Sequence, residues 1–199
     1  MNKKKYLSAA VIFLVVIFVT ASLVYSQSNP SITKHPTSSG NKTEDDISFT
    51  TGNDHIYHIA GNLNVSKNQT GNQTGVVFVD ENLNFTGNYT YGTALTGAVF
   101  IVKGDINIDP TVTRVDAVLI AEGTIYTEGT GCTRSSPPAG SQLTINGSLI
   151  SLNPDKPPRF CRTLSDNTQP AEKINHQPKY VVILRHLLSD TLQRWSEIP

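Results

Sequence analysis

Cysteine is almost absent from this chain. Cys132 and Cys161 are the only two in 199 residues, so a disulfide-dense scaffold and a four-cysteine zinc site are both excluded. The five histidines, at 35, 55, 58, 176 and 186, show no zinc-ligand spacing. Net charge is zero. Without Lys3, Lys4 and Lys5, 13 basic residues face 16 acidic ones, so the basic stripe that nucleic acid needs is missing. There is no Gly-rich phosphate loop and no nucleophile elbow. Nothing in the sequence calls for a cofactor.

What is there is repetition. Ala98-Val99-Phe100-Ile101-Val102-Lys103-Gly104-Asp105-Ile106-Asn107-Ile108 is apolar alternation, a turn residue, then a second alternation. Similar segments surround Gly61, Glu81, Gly123 and Gly147, separated by 20, 23, 19 and 24 residues. Self-similarity at about 20–25 residues marks a stacked repeat array. The β-branched residues and period of two mark strands. One unit cannot bury its own apolar face, so copies stack. The fold class predicted is all-β: a single-stranded parallel β-solenoid of about five rungs over 53–156. Val99, Ile101, Ile106 and Ile108 would point inward, and each turn glycine would supply a positive φ. The competing reading is an antiparallel β-sandwich, with glycines marking hairpins.

Residues 6–25 carry no charge and follow three lysines. Twenty helical residues rise about 30 Å, enough to span a bilayer's hydrocarbon core. The expectation is an N-terminal transmembrane helix that anchors the chain, within a segment 1–26, with the lysines cytoplasmic and the remainder exported. A cleaved signal peptide ending near Val24 and Ser26 is the competing reading. Residues 27–52 are polar and contain Pro30 and Pro36, which reads as a flexible linker. Residues 157–199 read as a C-terminal cap. Val181, Leu184, Leu188, Leu192 and Trp195 follow helical spacing, so a capping helix would cover one end or pack along one face.

In an exported chain Cys132 and Cys161 are expected to pair. Glycosylation sequons stand at Asn41, Asn64, Asn68, Asn72, Asn84, Asn88 and Asn146. Asp80, Glu81, Asp105, Asp109, Asp116, Glu122 and Glu128 are the carboxylates from which an acid pair for glycoside cleavage would be drawn. The simpler reading is that these are solvated acids at turns. Asp105, Asn107 and Asp109 resemble the start of a calcium loop but lack its glycine and distal glutamate. Tyr89, Tyr91 and Tyr126 are the rings on which a bound sugar would stack.

The segments G-D-I-N-I, E-G-T-I-Y-T and L-T-I-N-G-S-L-I look like rungs of bactofilin-type polymer-forming proteins. They resemble more closely the exported β-solenoid domains of bacterial surface and pilus-assembly-associated proteins. The tail PAEKINHQPKYVVILRHLLSDTLQRWSEIP is similar to the endings of that group: a Pro-Ala-Glu, a Pro-x-Tyr, an amphipathic run and a closing Trp-x-Glu-x-x-Pro, which here, as Trp195-Ser196-Glu197-Ile198-Pro199, is one residue shorter. The resemblance covers about 52–199 and brings no enzymatic activity with it. An anchor, a spacer and a repeat array without a catalytic constellation point to a membrane-anchored, extracytoplasmic structural or adhesive role, with envelope or pilus proteins or surface glycans as partners. The alternative is a carbohydrate-binding or carbohydrate-cleaving solenoid.

Overall fold

The computed structural model describes residues 32–44, 47, 54–66, 70–71, 74–91, 96–132, 141–166 and 168–182. All lie in one compact unit, Ser31–Pro199. The predicted membrane span at 6–25, the sequons at Asn68 and Asn72, and the cap beyond 182 lie outside the described residues. No helix within them is long and apolar enough to cross a membrane.

The strands are short. They are β1 (Ile32–Lys34), β2 (Lys42–Thr43), β3 (Asp54–Ile59), β4 (Leu63–Val65), β5 (Thr70–Gly71) and β6 (Gly75–Val79). There follow β7 (Leu83–Phe85), β8 (Thr90–Tyr91), β9 (Ala98–Val102), β10 (Ile106–Ile108), β11 (Arg114–Val115) and β12 (Ala117–Ala121). The last are β13 (Ile125–Tyr126), β14 (Leu143–Asn146), β15 (Ser148–Ser151) and β16 (Glu172–Asn175), with a 3-10 turn at Thr130–Cys132 before β14.

Every pairing between these strands is parallel. This removes the antiparallel hairpin reading. One six-stranded sheet runs β1-β3-β6-β9-β12-β15, and a five-stranded sheet runs β13-β10-β7-β4-β2. A third sheet, β11-β14-β16, is joined to the pair β5-β8 through a bridge between Tyr89 and Val115. Each sheet therefore takes one strand from each successive stretch of chain. The fold is mostly β, with parallel sheets lying around one apolar interior.

Alternation decides what enters that interior. Ile59, Val79, Val102 and Ala121 from the six-stranded sheet meet Leu63, Leu83, Ile106 and Ile125 from the five-stranded one. All eight are at most 2% exposed. Ile106 and Ile108 point inward as expected. Val99 and Ile101 do not: they lie on the outer face, in a second cluster. The inward set on β9 is Ala98, Phe100 and Val102. A run of five apolar residues alternates equally well in either phase, and only the register selects one.

Three further expectations are corrected. Residues 32–44 are not linker. β1 pairs with β3, β2 pairs with β4, and Ser38 bridges Ile59, so this stretch adds a layer before the first repeat recognised in the sequence. The fifth repeat is displaced. Leu143–Asn146 belongs to the third sheet, and Ser148–Ser151 pairs with Val118–Ala121. Gly147 thus stands opposite Ala117, and Asn153 falls opposite Gly123. The turn glycines also serve another purpose than the one expected. Positive φ occurs at Gly40, Gly129 and Gly131, not at Gly61, Gly104, Gly123 or Gly147. A Cβ at Gly123 would instead collide with the carbonyl of Gly104, and one at Gly61 with the carbonyl of Gly40. Glu81 holds the same register position with a full side chain, so the restriction comes from the neighbouring layer. Gly123→Ala is expected to cost about 1–3 kcal/mol, as overpacking does. Denaturant titration that left the midpoint unchanged would contradict this.

Polar ladders tie the layers together. Asn62 N–H donates to Asn41 Oδ1 (3.3 Å), Asn82 N–H to Asn62 Oδ1 (2.9 Å), Asp105 N–H to Asn82 Oδ1 (2.8 Å) and Thr124 N–H to Asp105 Oδ1 (2.7 Å). One strand on, Asn107 Nδ2 donates to Asn84 Oδ1 and Asn84 Nδ2 to Asn64 Oδ1, both at 2.9 Å. On the third sheet Asn175 Nδ2 donates to Asn146 Oδ1 (2.9 Å) and Asn146 Nδ2 to Asp116 Oδ1 (2.6 Å). The amide nitrogens of Asn84 and Asn146 are the atoms a glycan would need. Mass spectrometry of the chain from its native host is expected to find those two sequons unmodified.

The first layer is held by histidines. His35 Nε2 lies 3.0 Å from His55 Nδ1, and the His35 ring stacks on Tyr57 at 3.9 Å. Burial, then electrostatic repulsion from the neighbouring His55, holds the His35 imidazole below its ordinary 6.5. A lowered histidine favours the neutral folded state. Its stabilising contribution is complete above about pH 6.5 and is lost as pH falls towards the folded value. As pH falls below 6.5, protection factors of the amides in 33–38, taken against intrinsic exchange at the same pH, are expected to drop before those of the rest of the sheet. His35→Gln would remove that step.

Candidate functional site

The outer face of the six-stranded sheet is unusually apolar. One row across it reads Ile56, Val76, Val99 and Val118; the next, two residues along each strand, reads His58, Phe78, Ile101, Ile120 and Ile150. Just past the strand ends a charged row follows: Asp80, Lys103 and Glu122. Parallel pairing sets these side chains about 4.8 Å apart.

His58, Phe78, Val79, Asp80, Ile101, Val102, Lys103 and Glu122 line a hollow of about 420 Å³. Lys103 and Glu122 also line a neighbouring hollow of about 490 Å³ with Leu152, Asn153, Pro154 and Lys156. The two hollows therefore adjoin along the sheet margin. Phe78 is 39% exposed and is the aromatic ring of this groove.

The charged margin is internally paired. Lys103 Nζ lies 2.5 Å from Asp80 Oδ1, and His58 Nε2 lies 3.0 Å from Asp80 Oδ2. Thr37 Oγ1 lies 3.1 Å from His58 Nδ1. The Lys103 hydrogen bond is the main cause that holds the Asp80 carboxyl below its ordinary value, and Asp80 in turn raises Lys103.

This groove contains two of the seven carboxylates singled out in the sequence, Asp80 and Glu122. The other five lie elsewhere. Glu81 accepts from Asn62 Nδ2 (2.6 Å), Asp105 caps Thr124, and Asp109 accepts from Thr111 N–H (2.9 Å) and Oγ1 (2.6 Å). Glu128 is half-buried near Arg162. Asp116 is buried and accepts from Tyr91 N–H, Asn146 Nδ2 and Arg114 Nε. Burial pushes its carboxyl up, but these hydrogen bonds outweigh that and hold it below the ordinary range. General-acid catalysis of glycoside cleavage needs a raised carboxyl, and Asp80 is shifted the other way. The calcium reading meets a similar obstacle. Oxygens of Asp105 and Asp109 are engaged with Thr124 and Thr111, and Asn107 stands in the amide ladder. Among the described residues no group of three or more His, Cys, Asp or Glu is placed to hold a metal.

The predicted sugar platform does not form. Tyr89 and Tyr91 are buried in the core beside Phe85 and Phe100. Tyr126 is half-buried on the five-stranded sheet, opposite Asn107 and bridged to Arg159. Phe78 was missed because alternation alone does not say that an apolar position faces outward.

Cys132 and Cys161 are joined, with Cα atoms 5.7 Å apart. Next to the bridge, Arg162 is 4% exposed. Its Nε donates to Thr127 O (2.8 Å), its Nη1 to Pro110 O (3.2 Å) and Ser141 O (3.3 Å), and its Nη2 to Asp109 O (2.7 Å). Glu172 Oε1 accepts from Arg162 N–H (2.9 Å) and Thr127 Oγ1 (2.7 Å). The sequence offered no signal for this plug beyond an arginine beside a cysteine. No family model, curated protein or solved structure matches the chain.

Proposed function

We propose that the chain is a parallel β-solenoid, anchored in a membrane through residues 6–25 and exported, with a structural or adhesive role at the cell surface. Its contacts on this reading are envelope or pilus-associated proteins. The observation that carries the reading is how its polar groups are used. Asn62, Asn82, Asp105, Asn84, Asn146 and Asp116 join layer to layer, so the acids and amides that catalysis would need are consumed in making a rigid column. The disulfide fits an oxidising compartment.

Fractionation of the full chain tests this. The expected result is recovery with membranes, with 53–182 accessible to protease added outside the cell and both cysteines oxidised. Recovery in the cytoplasm with free thiols would overturn it.

A second reading, binding of a carbohydrate, is favoured by the exposed Phe78 ring beside Asp80, Lys103 and Glu122, since sugars stack on rings and hydrogen-bond to charged margins. A glycan array with hits that Phe78→Ala abolishes would support it. Hits unaffected by that change would place any binding elsewhere.

A further inference from the structure

The outer face of the six-stranded sheet carries a trough that runs across the strands. Its floor is the apolar row Phe78, Ile101, Ile120 and Ile150, one side chain from each of four successive strands. Phe78 and Ile150, at its two ends, are each 39% exposed. One wall is made by Tyr180, which is 2% exposed and packs on Val76, Val99 and Val118, the row beside the floor. Lys179 Nζ donates to Thr96 O at 2.8 Å and fixes that wall, and Gly97 leaves room for it, because a Cβ there would run into the Tyr180 ring. The other wall is the charged row Asp80, Lys103 and Glu122, whose backbones stay in step through Lys103 N–H to Val79 O and Glu122 N–H to Val102 O. The two hollows, of about 420 and 490 Å³, adjoin along this charged wall.

Floor and charged wall advance together, by about 4.8 Å per layer. From Phe78 to Ile150 the trough is therefore about 14 Å long. A ligand that fits it repeats at the same step. An extended peptide presents one face every second residue, about 6.6 Å, and falls out of step. A linear chain of pyranose rings advances by close to one layer per ring. Each ring has an apolar C–H face and a rim of hydroxyls, as the trough has an apolar floor and a polar wall.

The order of charges on that wall selects further. Asp80 and Glu122 only accept hydrogen bonds, and Lys103 only donates them. A polyanion would meet two carboxylates and a polycation would meet the lysine, whereas a hydroxyl serves either. The Lys103–Asp80 ion pair does not exhaust its members, because an ammonium has three donors and a carboxylate roughly four acceptor sites.

We infer that the trough binds a neutral, linear glycan lying across the strands, about one ring per layer, with one ring stacked on Phe78 and with Lys103 and Glu122 fixing its register. This rests on the carbohydrate reading above and narrows it from a sugar to a polymer.

Titration calorimetry of the full chain with soluble oligomers of cellulose and of chitin, one to six units long, tests it. In at least one series affinity is expected to rise about tenfold or more from one unit to four and then level off. Ile150→Asp blocks the last layer, so the levelling-off is expected one unit earlier. Lys103→Met is expected to flatten the rise. Circular dichroism melts check that each variant is folded. Binding that needs Phe78 but does not grow with length would leave the carbohydrate reading standing and overturn the polymer. Growth with length that survives both Phe78→Ala and Ile150→Asp would place the chain elsewhere and overturn it as well. No binding by either series, or by any linear neutral glycan on an array, would remove the carbohydrate reading itself. Sedimentation without glycan reads the other occupant: a dimer that Phe78→Asp dissociates would give the trough to a second copy and overturn the inference.

Discussion

Replacing Arg162 with alanine is expected to lower stability by about 3–5 kcal/mol, the range for stripping a buried charged network of one partner. The guanidinium is the common donor for four carbonyls drawn from Asp109, Pro110, Thr127 and Ser141. Asp109, Pro110 and Thr127 follow β10 and β13 of the five-stranded sheet, and Ser141 precedes β14 of the third sheet, so one side chain joins the two sheets. Burial lowers the Arg162 pKa while Glu172, Glu128 and Asp109 raise it, and an arginine remains charged throughout. Alanine leaves four carbonyls facing a void where no single water reaches them all. Arg162→Lys restores a charge but not the planar fork, so most of the loss is expected to remain. Arg162→Met restores volume without donors. Urea unfolding of the three variants separates packing from hydrogen bonding. Wild-type stability in the methionine variant would sink the claim that the donors matter.

Loss of the Cys132–Cys161 bridge is the second large effect expected, on the order of 3 kcal/mol. The bridge spans 29 residues, and on the chain-entropy account a loop of that length restricts the unfolded chain by about this amount. It also acts locally. Cys161 N–H donates to Thr127 Oγ1 at 2.9 Å, and the adjacent Arg162 N–H donates to Glu172. Reduction and Arg162→Ala therefore loosen the same C-terminal segment. Their effects are expected to be non-additive, the pair costing less than the sum, because contacts released by one are no longer there for the other to release. Thermal melts with and without reductant, in wild type and in Arg162→Ala, make the cycle. Strict additivity would mean that bridge and plug act independently.

Most of the strand content was legible because a period of two with β-branched residues has few other interpretations. The spacings around Gly61, Glu81, Gly104 and Gly123 correspond to real register positions. The spacing failed at Gly147 for a definite reason. Leu143-Thr144-Ile145-Asn146 and Ala117-Val118-Leu119-Ile120 alternate alike, yet they belong to different sheets. Alternation states that a strand has an inside and an outside, not which wall it builds. The layer at 32–44 was missed for a related reason. β1 and β2 hold three and two residues, too few to show a period, and their stability comes from neighbours.

The candidate site was less legible still. Asp80, Lys103 and Glu122 are 23 and 19 residues apart in sequence, and parallel register alone makes them neighbours. Tyr89 and Tyr91, polar enough to suggest a surface, lie in the interior, Tyr89 in ring contact with Phe85 and Phe100 and Tyr91 in ring contact with Tyr89.

The sequence by itself determined that this protein is built of short parallel-competent strands, that its two cysteines pair, and where four of the five turns lie, because these follow from spacing and side-chain chemistry along the chain. Only the tertiary structure decided which face of each strand is dry, that glycine is needed for clearance rather than for dihedral freedom, and that a buried arginine closes the last layers. Those depend on what the next layer places a few ångströms away, and no local pattern carries that information.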